Sequence, residues 1–274
     1  RRAAPAESGP VRLTRDAGLT THPALSPDGK LLAYAADRGG SVLNIWMQPV
    51  AGGTPVRLTT GDADSHSPAF SHDGARIAFR SEAGEGGLFT VPARGGEPVW
   101  IAAAGHNPRF SPDGKWLAWW APLDRDRAEL RVAPATGGPS RRLCEKFRAA
   151  RHPVWSPDGR HLLFAGVDEN GRRDWYVVPA EGGEALRTGA RLVLQAGNRS
   201  WNVIPSAWVG DDVYLLGGRE RSGVWRAVIA PPVMQFTTAA AQVTADGTVA
   251  NHASVSAAGD VAYATAAVAT GVWM

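Results

Sequence analysis

The segment "ARHPVWSPDG", Ala150 to Gly159, has three close copies: "THPALSPDG" from Thr21 to Gly29, "HSPAFSHDG" from His66 to Gly74 and "HNPRFSPDG" from His106 to Gly114. The shared Ser-Pro-Asp-Gly turn, with His72 in place of proline in the second copy, begins at Ser26, Ser71, Ser111 and Ser156. The spacings are 45, 40 and 45 residues. Two degenerate copies follow, "SAWVGDDVYLL" from Ser206 and "ASVSAAGDVAYA" from Ala253, which makes six units. A repeat of this length decides the architecture before any single residue does.

Each unit carries four strand signals. A short first strand, such as Pro153-Val154-Trp155, runs into the turn, whose Ser, Pro, Asp and Gly suit a type I geometry. The second strand alternates, as in Leu32-Ala33-Tyr34, Ile77-Ala78-Phe79 and Leu117-Ala118-Trp119. The third carries aromatics: Ile45-Trp46, Leu88-Phe89, Trp175-Tyr176, Val224-Trp225 and Val272-Trp273. Glycine pairs at 52–53, 95–96, 137–138 and 182–183 then reverse the chain. The fourth strand ends at Leu13-Thr14, Leu58-Thr59, Leu143-Cys144 or Val243-Thr244. Four antiparallel strands recurring every 40 to 50 residues predict an all-β fold, a six-bladed β-propeller. The chain starts with a fourth strand, "PVRLT", and ends with a third, "GVWM". The N-terminal strand is therefore expected to complete the last blade and close the ring. Residues 1–9, "RRAAPAESG", read as a linker, residues 10–274 as one propeller, and the whole as a piece of a longer protein.

Composition excludes several classes. With 29 basic and 26 acidic residues the net charge of +3 is too weak and dispersed for nucleic acid. Cys144 is the only cysteine, so no internal disulfide forms, and its place at the end of a fourth strand suits a small buried residue. No apolar run approaches 18 residues, so no membrane insertion by this segment is expected. The compartment stays open: periplasmic or extracytoplasmic if the domain belongs to a receptor, otherwise cytoplasmic. There is no Gly-x-Ser-x-Gly elbow, no Walker motif and no dinucleotide fingerprint.

Pro-x-x-Ser-Pro-Asp-Gly, an alternating strand, Gly-Gly and Arg-Leu-Thr together resemble the TolB-like, WD40-like (PD40) propeller repeats of bacteria. The match covers nearly the whole chain. The stretch "PVRLTRDAGLTTHPALSPDGKLLAYAADRGG" is most similar to the C-terminal propellers of bacterial serine/threonine kinases and winged-helix regulators. The resemblance implies a binding or sensing module, with turn residues and aromatics serving as scaffold. It also places the segments before the first strands on one face, at the mouth of a central channel.

The scaffold does not account for the histidines. Of seven, five fall one or two residues before the repeat proline position: His22, His66, His106, His152 and His252. Chance would put about 0.3 there, although repeats share ancestry and one inherited histidine could serve several units. His72 and His161 read as scaffold. Five imidazoles at one channel mouth suggest a divalent metal, zinc or manganese. His22, His152 and His252 directly precede the proline position, whereas His66 and His106 stand one residue earlier. Neighbours on a strand face opposite ways, so three or four ligands are safer than five.

A metal with an open position would support ester or phosphoester hydrolysis. Asp62 or Asp64 then serves as base or orienting group, with Arg151 beside them as a catalytic candidate. Arg148 and Arg199, with Trp201 and Asn202, are candidates for holding the substrate. Asn107, Glu145 and Asn251 lie on the same segments. The competing expectation is a metal-free sensor that binds a small molecule or a protein partner.

Overall fold

A computed structural model describes residues 9–195, 203–217, 223–230, 233–237, 239–244, 249–265 and 271–274. The expected linker thus lies outside the described residues, except for Gly9. The fold is all-β, with antiparallel sheets laid down in chain order. The first sheet is β1 (Thr20–Leu25), β2 (Leu31–Ala36), β3 (Asn44–Pro49) and β4 (Val56–Arg57). The second is β5 (Ser65–Phe70), β6 (Arg76–Ser81), β7 (Gly87–Pro92) and β8 (Val99–Ala102).

Two further four-strand groups follow. The first is β9 (His106–Phe110), β10 (Trp116–Pro122), β11 (Ala128–Pro134) and β12 (Arg141–Leu143). The second is β13 (Ala149–Trp155), β14 (His161–Val167), β15 (Arg173–Pro179) and β16 (Leu186–Arg187). One parallel bridge, Ala128 to Ala149, fuses them into an eight-stranded sheet. A short helix, α1 (Ala190–Gln195), leads to β17 (Ile204–Val209), β18 (Asp212–Gly217) and β19 (Gly223–Ala230). In that sheet β20 (Gln235–Phe236) and β21 (Ala241–Gln242) both pair with β19. The last sheet is β22 (Ala250–Val255), β23 (Val261–Thr265) and β24 (Gly271–Trp273). Five sheets result rather than six separate ones, because of that single bridge.

The second strands explain the packing. A strand sends alternate side chains to opposite faces. In β2, Leu32, Tyr34 and Ala36 join one cluster with Ala262 and Val272, while Ala33 and Ala35 join another with Ile77, Phe79 and Val91. The same division recurs along the chain. In β14, Leu162 and Phe164 face β10 and β11, and Leu163 faces β17 and β18. Each group of strands therefore packs face to face against the next, and β22–β24 packs against β1–β3. Trp119 and Trp175, both 0% exposed, fill two of these interfaces.

The turns are pinned by their own side chains. Ser156 Oγ donates to Asp158 at 2.6 Å and accepts from the backbone N–H of His161 at 2.9 Å. The Gly159 N–H closes the turn on the Ser156 carbonyl at 2.9 Å, with Gly159 at φ +71°, where glycine is at ease. Ser26, Ser71 and Ser111 repeat this arrangement. In the degenerate copy Ser256 keeps its role, and Asp260 supplies the carboxylate.

Threonine does a matching job at the outer edge. Thr59 Oγ1 accepts from the Ile45 N–H at 2.9 Å, and Thr14 Oγ1 accepts from the Val272 N–H at 2.8 Å. Around Thr14, Val11 and Leu13 pair with the backbone of Met274 and Val272. Cys144, expected to be small and buried, is half-buried at φ +59° beside Phe147. Burial pushes its thiol up to about 12, so it is protonated and unreactive.

Ser71 is 0% exposed. Ser71→Ala is expected to lower stability by about 1–2 kcal/mol, because it leaves the Arg76 N–H without its acceptor. Urea denaturation measures this; an unchanged midpoint would mean that the turn forms without its serine.

Candidate functional site

Proline in the middle of an inner strand removes a ladder donor, and such prolines are confined to edges or bulges. Here every first strand carries a bulge. Its register shifts between Thr21 and Ala24, between His66 and Ala69, and between Arg151 and Val154, and the other three do likewise. The residue just before the proline takes a left-handed conformation in four of them: His22 (φ +49°), Ser67 (+55°), Asn107 (+51°) and His152 (+56°). Asn and His tolerate that region better than most residues. The histidines therefore sit within the first strands, not in loops ahead of them, because the bulge extends pairing past the proline.

Side chains of β1, β5, β9, β13, β17 and β22 line two adjoining cavities. A neck of about 40 Å³ is bordered by His22, Ser67, Asn107, His152 and His252. Beyond it a basin of about 380 Å³ opens between Phe70, Phe110, Trp155 and Trp208. Arg109 and Ser206 border both compartments.

The five imidazoles do not gather about one point. His22, His152 and His252 reach the neck, whereas His66 and His106, one residue earlier, turn away. The His22 and His252 rings lie 3.6 Å apart, centroid to centroid, and His66 lies 5.2 Å from His22. His66 Nε2 is 3.1 Å from Glu82 Oε1, and its Nδ1 is 2.9 Å from Ser67 Oγ. His106 stacks on Trp120 at 4.4 Å, and His152 flanks the same indole at 5.7 Å. His252 Nδ1 is 3.0 Å from Thr21 Oγ1. His22 Nδ1 is buried with no hydrogen-bond partner. Among the described residues no three His, Cys, Asp or Glu side chains are arranged to hold a metal ion.

The proposed acids and bases lie elsewhere. Asp64 Oδ1 accepts from the Leu43 N–H at 2.8 Å and so pins a loop. Asp62 is exposed, as are Arg148, Glu145 and Asn251. Arg151 donates to the Asp126 carbonyl at 3.2 Å and lies over Trp120 at 5.7 Å. Arg199, Trp201 and Asn202 fall outside the described residues.

Two residues near the histidines were not apparent from the repeat. Glu82 is held by Arg80 at 2.5 and 2.8 Å as well as by His66. Those bonds, Arg80 foremost, draw its carboxyl down to about 2. Arg109 is the second. Its counterparts in the other first strands are Ala24, Ala69, Val154, Ala207 and Ser254. A charge in a small or apolar column was the available signal.

Burial dominates the electrostatics. It lowers His22 to about 2, helped by His252, His66 and Arg109. It lowers His152 to about 4, helped by Arg151, Arg109 and His106, and His252 to about 4, helped by His66 and Arg109. His106 is lowered as well, mainly by burial. These imidazoles are neutral at pH 7, so each offers one donor and one acceptor.

No family model matches the sequence, and no curated protein matches it. Solved structures do. A putative TolB from Agrobacterium tumefaciens superposes with a TM-score of 0.66 at 21% identity, over 96% of this chain and 92% of that one. TolB from Acinetobacter baumannii gives 0.63 at 17% identity, over 77% of this chain but only 52% of its own. An oligogalacturonate lyase from Vibrio parahaemolyticus gives 0.56 at 14% identity, over 96% and 92%. The fold is that of the TolB-like β-propellers. The chain spans about half the length of the Acinetobacter protein.

A histidine held neutral in the fold weakens it when the solution supplies protons. The loss begins near the unfolded pKa of about 6.5 and levels off near the folded value. Glu82 and the turn aspartates, all lowered, contribute only below about 4.5, which leaves pH 4.5–6.5 to the histidines. Urea midpoints at pH 7, 6 and 5 are expected to fall. His152→Gln should remove roughly 1.4 kcal/mol per pH unit from that slope. A variant with the wild-type slope would mean that His152 titrates normally.

Proposed function

We propose that residues 10–274 form one closed propeller of six four-stranded blades, with residues 1–9 as a linker. Six inter-sheet cores in circular order support the count. The bond from Val272 to Thr14, equivalent to that from Ile45 to Thr59, supports closure. Thr14→Val should then cost about 1–2 kcal/mol, and Thr59→Val at least as much, because Thr59 Oγ1 also donates to Asn44 Oδ1 at 3.2 Å. A Thr14→Val variant as stable as wild type would argue against a closing strand.

In this reading the module binds a small molecule within its axial passage. One observation carries it: a guanidinium and neutral imidazoles from separate first strands converge on one passage, while the nearby carboxylates are committed to Arg80 or to backbone. Among the described residues, that is a recognition surface without a free carboxylate beside it. The parent as a bacterial kinase or regulator rests on the repeat pattern, and a protein partner at the neck is the other expected occupant. Fragment screening by ligand-observed NMR should return binders that change the fluorescence of Trp155 and Trp208. Failure of every fragment class to do so would count against the passage.

A second reading is a zinc- or manganese-dependent hydrolase of esters or phosphoesters. Oligogalacturonate lyase among the structural relatives places enzymes on this fold. The unpartnered His22 Nδ1 beside the His252 ring is the observation in its favour. Among the described residues the side chains do not complete a ligand set. Metal content after equilibration with zinc or manganese decides: near one equivalent, lost in His22→Ala/His152→Ala/His252→Ala, would establish this reading in place of the first.

A further inference from the structure

We infer that Arg109 is an anion receptor inside the passage, and that its ligand is a small amphipathic monoanion: a carboxylate on the guanidinium and an apolar body in the basin. The inference rests on the passage being the binding site.

Burying an unpaired charge costs several kcal/mol, so buried arginines are normally paired. Other partly buried arginines find close partners: Arg80 pairs with Glu82 and Arg131 with Glu129, while Arg76 donates to the Ala135 and Gly114 carbonyls at 3.1 and 3.2 Å. Arg109, also partly buried, stands apart. Among the described residues no carboxylate forms an ion pair with it. Among the described residues its side chain makes one hydrogen bond, a long one from Nη2 to the Ser206 carbonyl at 3.5 Å. A guanidinium has five N–H donors in a planar fork, and arginine stays charged even when burial lowers its pKa, as it does here. At least four donors are therefore unmatched by protein groups, at the junction of the two compartments.

The surroundings select the ligand. The imidazoles that feel the charge of Arg109, on His22, His152 and His252, are neutral, and among the described residues that line the two compartments no other arginine, lysine or carboxylate appears, so the lining carries one positive charge. A monoanion balances it, whereas a phosphate dianion leaves one charge unmatched in a poorly solvated site. A carboxylate also fits the fork through two parallel bonds. The basin supplies the apolar half. Trp155 Nε1 donates to the Arg109 carbonyl at 2.9 Å and Trp208 Nε1 to the Gly210 carbonyl at 3.0 Å. With their polar ends tied, both indoles can offer apolar surface beside Phe70 and Phe110. A volume of about 380 Å³ lies in the range of small-molecule sites.

The test compares 2-naphthoate with 2-naphthamide, close in shape and different in charge, by calorimetry on the wild-type chain, Arg109→Met and Arg109→Lys. Wild type should bind naphthoate at least ten-fold more tightly than the amide. Arg109→Met should lose that preference and Arg109→Lys keep part of it. Urea denaturation without ligand is the companion measurement. Arg109→Met should be as stable as wild type or more so, since it removes an unpaired buried charge. Equal binding of both probes by wild type would overturn the anion receptor and leave the passage as a binding site. Binding of neither would overturn both. A destabilised Arg109→Met would make Arg109 a structural residue and also overturn the inference.

Discussion

A strand that is apolar on both faces needs a neighbour on each side, and the second strands impose this on the whole chain. Leu32 and Tyr34 point one way and Ala33 and Ala35 the other, and no single packed layer buries both sets. A second strand apolar on both faces therefore packs against a sheet on either side. The first strands are then drawn to a shared axis, and the thin fourth strands are left outside, where threonine hydroxyls substitute for missing neighbours.

That crowding at the axis makes the site. Proline there removes an N–H, the strand bulges, and the preceding residue is driven to positive φ. His22 and His152, with Asn107, suit that backbone, so part of the histidine enrichment is a demand of conformation rather than of chemistry. The bulge also sorts the side chains. Positions directly before the proline look into the neck, and those one earlier pack against Glu82 or Trp120.

The repeat made the strand order, the Ser-Asp turns and the threonine edge legible, since each is a local pattern with a local cause. Even the degenerate "SAAGD" copy kept its turn, because Asp260 could stand in for the usual aspartate. What escaped was long-range. Glu82 meets His66 across a hairpin, and Asp64 is consumed by a loop 21 residues away. Spacing does not encode those meetings. The single sheet formed by β9–β16 depends on one bridge that no residue pattern announces. Arg109 differs from the small or apolar residues in its column but was not singled out, and its isolation from every described carboxylate emerges only in three dimensions.

Arg109 also bears on the two readings of the neck. A dication in the neck would be repelled by the Arg109 guanidinium that borders it. The same guanidinium already helps to keep His22, His152 and His252 from protonation, so its field reaches all three. A metal held by those imidazoles would have to overcome that field without a carboxylate to offset it. An anion meets the opposite condition: it gains from Arg109, and by lessening the positive potential it makes the neighbouring imidazoles easier to protonate. Binding and proton uptake are then linked in the same direction, which would strengthen anion binding as pH falls toward the pKa values of His152 and His252.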